Sequence, residues 1–349
     1  GRSDDWEMYE SILVELLKNP SLENALVKRN IVEAFWQYIR PGNSFVPQWL
    51  KHSDRIKAQI ARLLFDEDPE VVSRASLILT RAIQPQVQQK GVNGSEFESV
   101  FIAGLESNDL AVQNYLLDRL HAIVPRPANA PGWLAFSLPI QLRLLDCLNS
   151  TSKEIRKKTM RLLGVKLRAQ WNTTAEFEAA LAKILSDHHS SEEAIVTVFY
   201  LLEEWPTRSR YGAAIESALS NAVAARPNFR EVGLALFGRR GVSEPQNAAQ
   251  IFGTLENSED RNLRLHALRS LLVSIDTFRR AEPQVVRDFL NPIAGSDNGF
   301  GTAGRLALTE FDGTGTVASG AALRRVDQLI QGQPTRLAEA AFLEMCRRR

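Results

Sequence analysis

The sequence predicts an all-α fold in which helical hairpins stack into an α-α superhelix of about eight to nine units. Three observations predict it. The chain has 349 residues, more than one compact core usually serves, so several domains or one elongated array is expected. A short helical pattern returns at nearly even intervals along most of that length. No alternating run of β-branched residues bounded by hairpin turns occurs, which argues against a sheet.

The recurring pattern is a polar turn, then an aliphatic residue, often a basic residue next, and a small or apolar residue four positions after the first. It reads Val71-Val72-Ser73-Arg74-Ala75 after Asp66-Glu67-Asp68-Pro69, and Val112 with Leu116 after Ser107-Asn108-Asp109. It is clearest in Ile155-Arg156 with Thr159, in Phe229-Arg230 with Gly233, and in Leu263-Arg264 with Ala267; weaker copies begin at Ala194, Ala303 and Leu337. Successive copies start 34 to 43 residues apart, the length of one helix–turn–helix unit. Each copy is expected to follow another amphipathic stretch that ends just before its turn, for example Ile56–Phe65, Phe97–Leu105, Leu138–Leu148, Phe177–Leu185, Ile215–Val223, Ala248–Leu255 and Val285–Ile293. Within these, apolar residues fall three and four apart, as in Ile56, Ile60, Leu63 and Leu64.

A lone hairpin cannot bury its apolar face, so neighbours must stack and share a core. Small residues such as Ala75, Gly233 and Ala267 are expected to let helices approach closely. Asp and Ser in the turns suit caps of each second helix, for example Ser152 with Glu154 in the first turn.

Through Asp68-Pro69-Glu70-Val71, Ile155-Arg156 and Leu263-Arg264-Leu265-His266-Ala267 the chain resembles the HEAT-repeat family of α-solenoids, with the related armadillo type as the alternative. The resemblance covers residues from about 45 to the end. It implies a right-handed solenoid in which the first helix of each pair lies on the convex face and the second lines the concave face. The basic position departs from the family pattern at Val72, Gln113 and Gly304.

The expected organisation is an N-terminal helical cap over residues 1–44, then a HEAT-like solenoid over 45–349 with a Pro-rich insertion at 125–137. In the cap, the stretches Trp6–Leu17 and Leu22–Ile39 are rich in aromatics and would close the open end of the core; a docking surface is the alternative. The insertion carries three prolines and Gly132, which preclude a helix, and Trp133, which either anchors the loop or meets a partner. The opening Gly1-Arg2-Ser3-Asp4-Asp5 lacks an initiator Met and an apolar signal, and reads as a piece of a longer protein.

Composition narrows the function classes. Hydrophobic residues at 44% and charged residues at 24% fit a folded chain rather than a disordered one. No apolar run approaches the ~18 residues of a membrane helix, so no membrane partner is expected. Net charge is +1, divided as −3 over residues 1–140 and +4 over 141–349, too mild for a dedicated nucleic-acid binder. Cys147 and Cys346 imply neither a disulfide framework nor a metal site, which suits the cytoplasm. Asn-x-Ser/Thr triplets at Asn93, Asn149 and Asn172 read as chance without a secretory signal.

Chemistry-bearing motifs each have a plainer reading. Gly299-Phe300-Gly301-Thr302-Ala303-Gly304 spells a dinucleotide fingerprint, but a helical stretch precedes it where a strand is required, so an inter-helix turn is expected. His52, His121, His188, His189 and His266 show no metal-ligand spacing. Cys147 shares an apolar stripe with Leu144, Leu145 and Leu148, which suits a buried thiol. Glu192-Glu193 and Glu203-Glu204 are expected on solvated faces. No catalytic constellation, cofactor or metal site is implied.

The remaining candidates are basic. Arg156, Lys157 and Arg161, with Lys153 and Lys158, crowd one second helix, and Arg230 and Arg264 continue on later ones. Aligned on a concave face, they and Trp133 would bind a protein partner through an acidic segment. The alternative, which the resemblance implies, spends the arginines on structure, each pairing with the turn Asp of a neighbour. The expected function is a non-enzymatic protein-interaction scaffold or the recognition region of a larger protein. Its rival is nucleic-acid binding in a basic groove, as in HEAT-like alkylpurine DNA glycosylases, for which Trp171, Trp205 and Asp187 are conceivable residues.

Overall fold

The computed structural model describes residues 3–18, 25–39, 54–63, 66, 68–78, 98, 101–102, 104–106, 110–123, 137–166, 174–205, 211–255, 258–281, 283–313, 320–330 and 336–347. The fold is all-helical, with no strand among the described residues, and the helices pack mainly on their neighbours in sequence order. The chain divides into two compact units, Gly1–Asn172 and Thr173–Arg349.

The first unit holds α1 (Ser3–Lys18), α2 (Ala25–Ile39), α3 (Asp54–Arg62), α4 (Pro69–Ile78), α5 (Leu110–Ile123), α6 (Leu138–Cys147) and α7 (Lys153–Arg161). The π-helical turn Leu162–Lys166 continues α7. Like packs on like at its start: α1 lies on α3 and α2 on α4, burying Val14, Val32, Phe35, Ile56, Ile60, Val71 and Ala75. The N-terminal pair therefore stacks directly on the next pair in sequence. Charge pairs reinforce the seam, with Lys28 on Asp66 at 2.8 Å, Arg74 on Glu33 at 2.6 Å, and Arg29 on Asp68. The expected boundary at residues 44 and 45 lies outside the described residues, as does the Pro-rich insertion apart from Ser137.

The second unit holds α8 (Ala175–Ser186), α9 (Glu192–Glu203), α10 (Ala213–Ala225), α11 (Arg230–Arg240), α12 (Pro245–Leu255), α13 (Arg261–Val273), α14 (Ile275–Ala281), α15 (Pro283–Ala294), α16 (Gly299–Asp312), α17 (Ala321–Ile330) and α18 (Leu337–Arg347). First helices form one row, α8 on α10 on α12, and second helices another, α9 on α11 on α13. The array then departs from strict order. Helix α17 packs on α13 as well as on α16, and α18 returns across the sequence to lie on α9 and α11.

Local chemistry explains the helix starts. The turn side chains of Asp68, Ser152, Ser191, Asp260 and Asn298 each accept backbone amides in the first turn of a second helix, at 2.8 to 3.4 Å. Each cap satisfies donors that a helix start leaves unpaired. Of the residues that open each copy of the sequence pattern, Val71, Val112, Ile155, Ala194, Leu263, Ala303 and Leu337 lie in helices, and Phe229 sits in the 3-10 turn leading into α11.

Small residues mark the closest approaches. A Cβ on Gly233 would overlap a Val223 methyl of α10, so the α10–α11 seam requires hydrogen there. Gly241 ends α11 at φ 82°, a left-handed conformation suited to glycine. The glycines of 299–304 lie inside α16, so the turn expected there is a helix start. Asn298 caps it, and a Cβ on Gly301 would strike the Ser296 carbonyl.

Candidate binding surface

Helix α7 carries the densest group of basic residues. Lys153 and Arg161 are exposed, whereas Arg156, Lys157 and Lys158 are half-buried. Lys158 is held by Asp118 at 2.8 Å and by Glu154 at 2.9 Å, and its backbone carbonyl meets the Nε2 of His121 at 2.8 Å. These contacts fix α5 against α7 and leave the charge of Lys158 largely neutralised. Arg156 bends back to donate to the carbonyls of Ser150 and Thr151, at 2.8 and 3.2 Å.

The same use of the guanidinium recurs in the second unit. Arg230 donates to Val223 and Ala224 carbonyls, both at 3.1 Å, and Arg264 donates to the Ser258 carbonyl at 2.5 Å. Other arginines serve in a similar way: Arg226 on Asp187, Arg240 on Trp205, Arg305 on Ala294, and Arg279 on Phe311 and Gly313. The last carbonyls of a helix lack intrahelical donors and sit at the negative end of its dipole, so a guanidinium is a suitable cap. The position after the aliphatic residue thus pairs with turn carbonyls, where a turn Asp was the expected partner. Arg156, Lys157 and Arg161 belong to the first unit, and Arg230 and Arg264 to the second. Trp133 lies outside the described residues.

A different cluster gathers where α9, α11 and α18 meet. Every residue of α9 from Glu193 to Glu203 is buried, which corrects the expectation that Glu193 and Glu203 face solvent. A helix apolar on nearly every side is buried on every side, and Glu203 is carried in with it. Its carboxylate takes Arg239 of α11 at 3.2 Å and accepts the backbone amide of Glu339, in α18, at 2.7 Å. Burial pushes the Glu203 carboxyl up from its ordinary range, and Arg239 opposes that shift. Beside it Glu204 pairs with Arg336, which also reaches Glu339 at 2.9 Å. Tyr200 stacks on Phe342 with ring centroids 4.3 Å apart. Sequence reasoning missed this group. The uninterrupted apolar run Ala194–Leu202 was the available signal for Glu203; nothing local points to α18.

Residues raised for catalysis or base stacking take structural places. Burial pushes the Cys147 thiol up to about 12, with Asp146 adding to the effect, which leaves it protonated and unreactive. Trp205 is buried and stacked on Phe177 at 6.2 Å, and an Asp187 carboxylate oxygen accepts the His189 amide at 2.9 Å. Trp171 and His52 lie outside the described residues. Among the described residues no group of three His, Cys, Asp or Glu side chains is placed to hold a metal ion, and no helix is long and apolar enough to cross a membrane.

Comparison with known proteins places the chain in no group: no protein-family model matches it, and no curated protein matches it.

Proposed function

We propose that the chain is a non-enzymatic interaction module of HEAT-like type, a scaffold or the recognition region of a larger protein, that binds a protein partner along its stacked helices in the cytoplasm. One observation supports this reading most. Hairpins stack like on like, α1 on α3 and α2 on α4 in the first unit, α8–α10–α12 and α9–α11–α13 in the second. Equivalent positions of successive hairpins then come out side by side, which suits recognition of an extended partner. Cys147 in α6 and Cys346 in α18 lie far apart in sequence, in keeping with a reducing compartment. The exposed cations of α7, Lys153 and Arg161, give an acidic protein segment a place to meet the first unit.

The test is affinity capture from source lysate followed by binding of the purified candidate, with wild type beside a Lys153→Glu, Arg161→Glu variant. A saturable protein partner whose affinity drops about tenfold or more in the variant supports the reading. Tight, steeply salt-dependent binding of duplex DNA or RNA, with no protein partner, would replace it by the nucleic-acid function.

A further inference from the structure

We infer that α18 is a self-supplied ligand of the face formed by α9 and α11, and that this face takes an amphipathic helix from a protein partner when α18 leaves it. This deepens the interaction-module reading and rests on it. Four features carry the inference, all at one seam.

First, α18 reaches its site from far away in sequence, because Glu339 lies 136 positions from Glu203. Most other seams of the second unit join near neighbours in the chain. Second, α18 is held through a single apolar stripe. Its buried side chains are Ala338, Phe342 and Met345, spaced i, i+4 and i+7 along one stripe, while Leu343 on another face is 43% exposed. A helix of 11 residues has little stability of its own in water, so its presence there depends on the groove.

Third, the groove supplies what the helix lacks. Arg336 occupies the N-cap position, since its carbonyl accepts the first helical bond from Ala340 at 3.0 Å. An arginine side chain has no acceptor with which to cap the free amides. The buried carboxylate of Glu203 performs that task from α9, at the positive end of the α18 dipole. Fourth, the recognition is split into complementary parts. Glu204 takes the cation of Arg336, Tyr200 takes the ring of Phe342, and Arg239 balances Glu203 from α11.

The chemistry of the fitting partner follows from α18. It is a helix with a basic residue at its N-cap, a small residue two positions on, an aromatic four beyond that, and a flexible apolar residue three further. Helix-in-groove recognition reads such anchors on one face. The carboxylate of Glu203 adds a requirement for a free helix N-terminus at a defined position, which discriminates against a continuous helix passing through.

The experiment uses the full chain. A fluorescein-labelled peptide of residues 336–347 is titrated, under reducing conditions, into wild type and into an Arg336→Glu, Phe342→Ser variant whose own α18 is weakened. The variant is expected to bind the peptide saturably and about tenfold or more tighter than wild type, with a Phe342→Ala peptide losing that gain. A variant that keeps a cooperative thermal unfolding transition yet fails to bind overturns the inference. Hydrogen exchange on unaltered wild type guards against a variant that does not fold. Amides of α18 are expected to exchange about tenfold or more faster than those of α9, and equal protection overturns the inference. Neither measurement needs an outside partner. Their failure removes the helix site and leaves the wider interaction reading standing, whereas a failed lysate capture removes the outside partner and leaves only the intramolecular release of α18.

Discussion

Glu216 of α10 accepts the backbone amide of Ser243 with both carboxylate oxygens, at 3.0 and 2.9 Å. The same fully buried side chain also takes the Glu244 amide at 2.9 Å and the Asn247 side-chain amide at 3.0 Å. It therefore caps the start of α12 from the neighbouring hairpin, placing a negative charge at the positive end of that helix. Glu216→Ala leaves buried donors unpaired and is expected to destabilise the second unit by about 3 kcal/mol, with Glu216→Gln milder. Urea unfolding followed by circular dichroism checks this, and an alanine variant within about 0.5 kcal/mol of wild type would contradict it.

His266 gives the fold an acid limit. It is buried on α13, neither ring nitrogen has a hydrogen-bond partner, and Glu231 stands 3.7 Å away. Burial, with the Arg269 charge adding, lowers its pKa to about 4. The unfolded chain takes up the proton at about pH 6.5 and the folded chain resists until about pH 4, so stability falls as pH drops through that window. The loss is of order 3 kcal/mol at most. Glu231, whose carboxyl burial pushes up, titrates with the opposite sign, so the useful comparison is with a variant. Melting temperatures between pH 7 and pH 4.5 should fall less for His266→Gln than for wild type; parallel curves would remove the histidine from the account.

Gly233 sets the spacing of α10 and α11. Its replacement by Ala improves intrinsic helix propensity, yet the new methyl meets Val223. A net loss of about 1–3 kcal/mol is expected, because overpacking outweighs propensity. Val223→Ala in the same chain should recover most of it. A double-mutant cycle measures the coupling, and simple additivity would mean that the two side chains do not compete.

The two thiols should react at separate rates. Cys147 is buried with its pKa pushed up to about 12, whereas Cys346 is half-buried on α18. With a chromogenic disulfide reagent at pH 8, Cys346 is expected to react first, and Cys147 only as the unit around it unfolds. Cys147→Ala checks the assignment; an unchanged fast phase in Cys346→Ser would reverse it.

What the sequence made legible was local. Asp68, Ser152 and Asp260 were readable as caps because a cap joins residues two or three apart. Ala75 and Ala267 were readable as packing positions because their helical period is short, and both are fully buried. Arg156, Arg230 and Arg264 were legible as a recurring position, but their carbonyl partners depend on how each turn folds. Helices α14 and α17 fall outside the repeat register, and α17 gains its place by packing on α13, with Arg269 and Asp327 paired at 2.8 Å. Glu203 was misread for a similar reason. An acidic pair at a helix end ordinarily faces water, and only the return of α18 makes Glu203 a buried acceptor.

That return also sets an order of events during synthesis. Helix α9 leaves the ribosome 136 residues before Glu339 does, so Tyr200 and Glu203 must wait without their partner while the intervening hairpins are made. Near-neighbour hairpins close quickly, whereas the last seam is a ring closure over a long stretch of chain and carries the larger entropic delay. Until it forms, the nascent second unit shows an apolar stripe of α9 to its surroundings, a natural point of engagement for chaperones and for stray copies of the same chain.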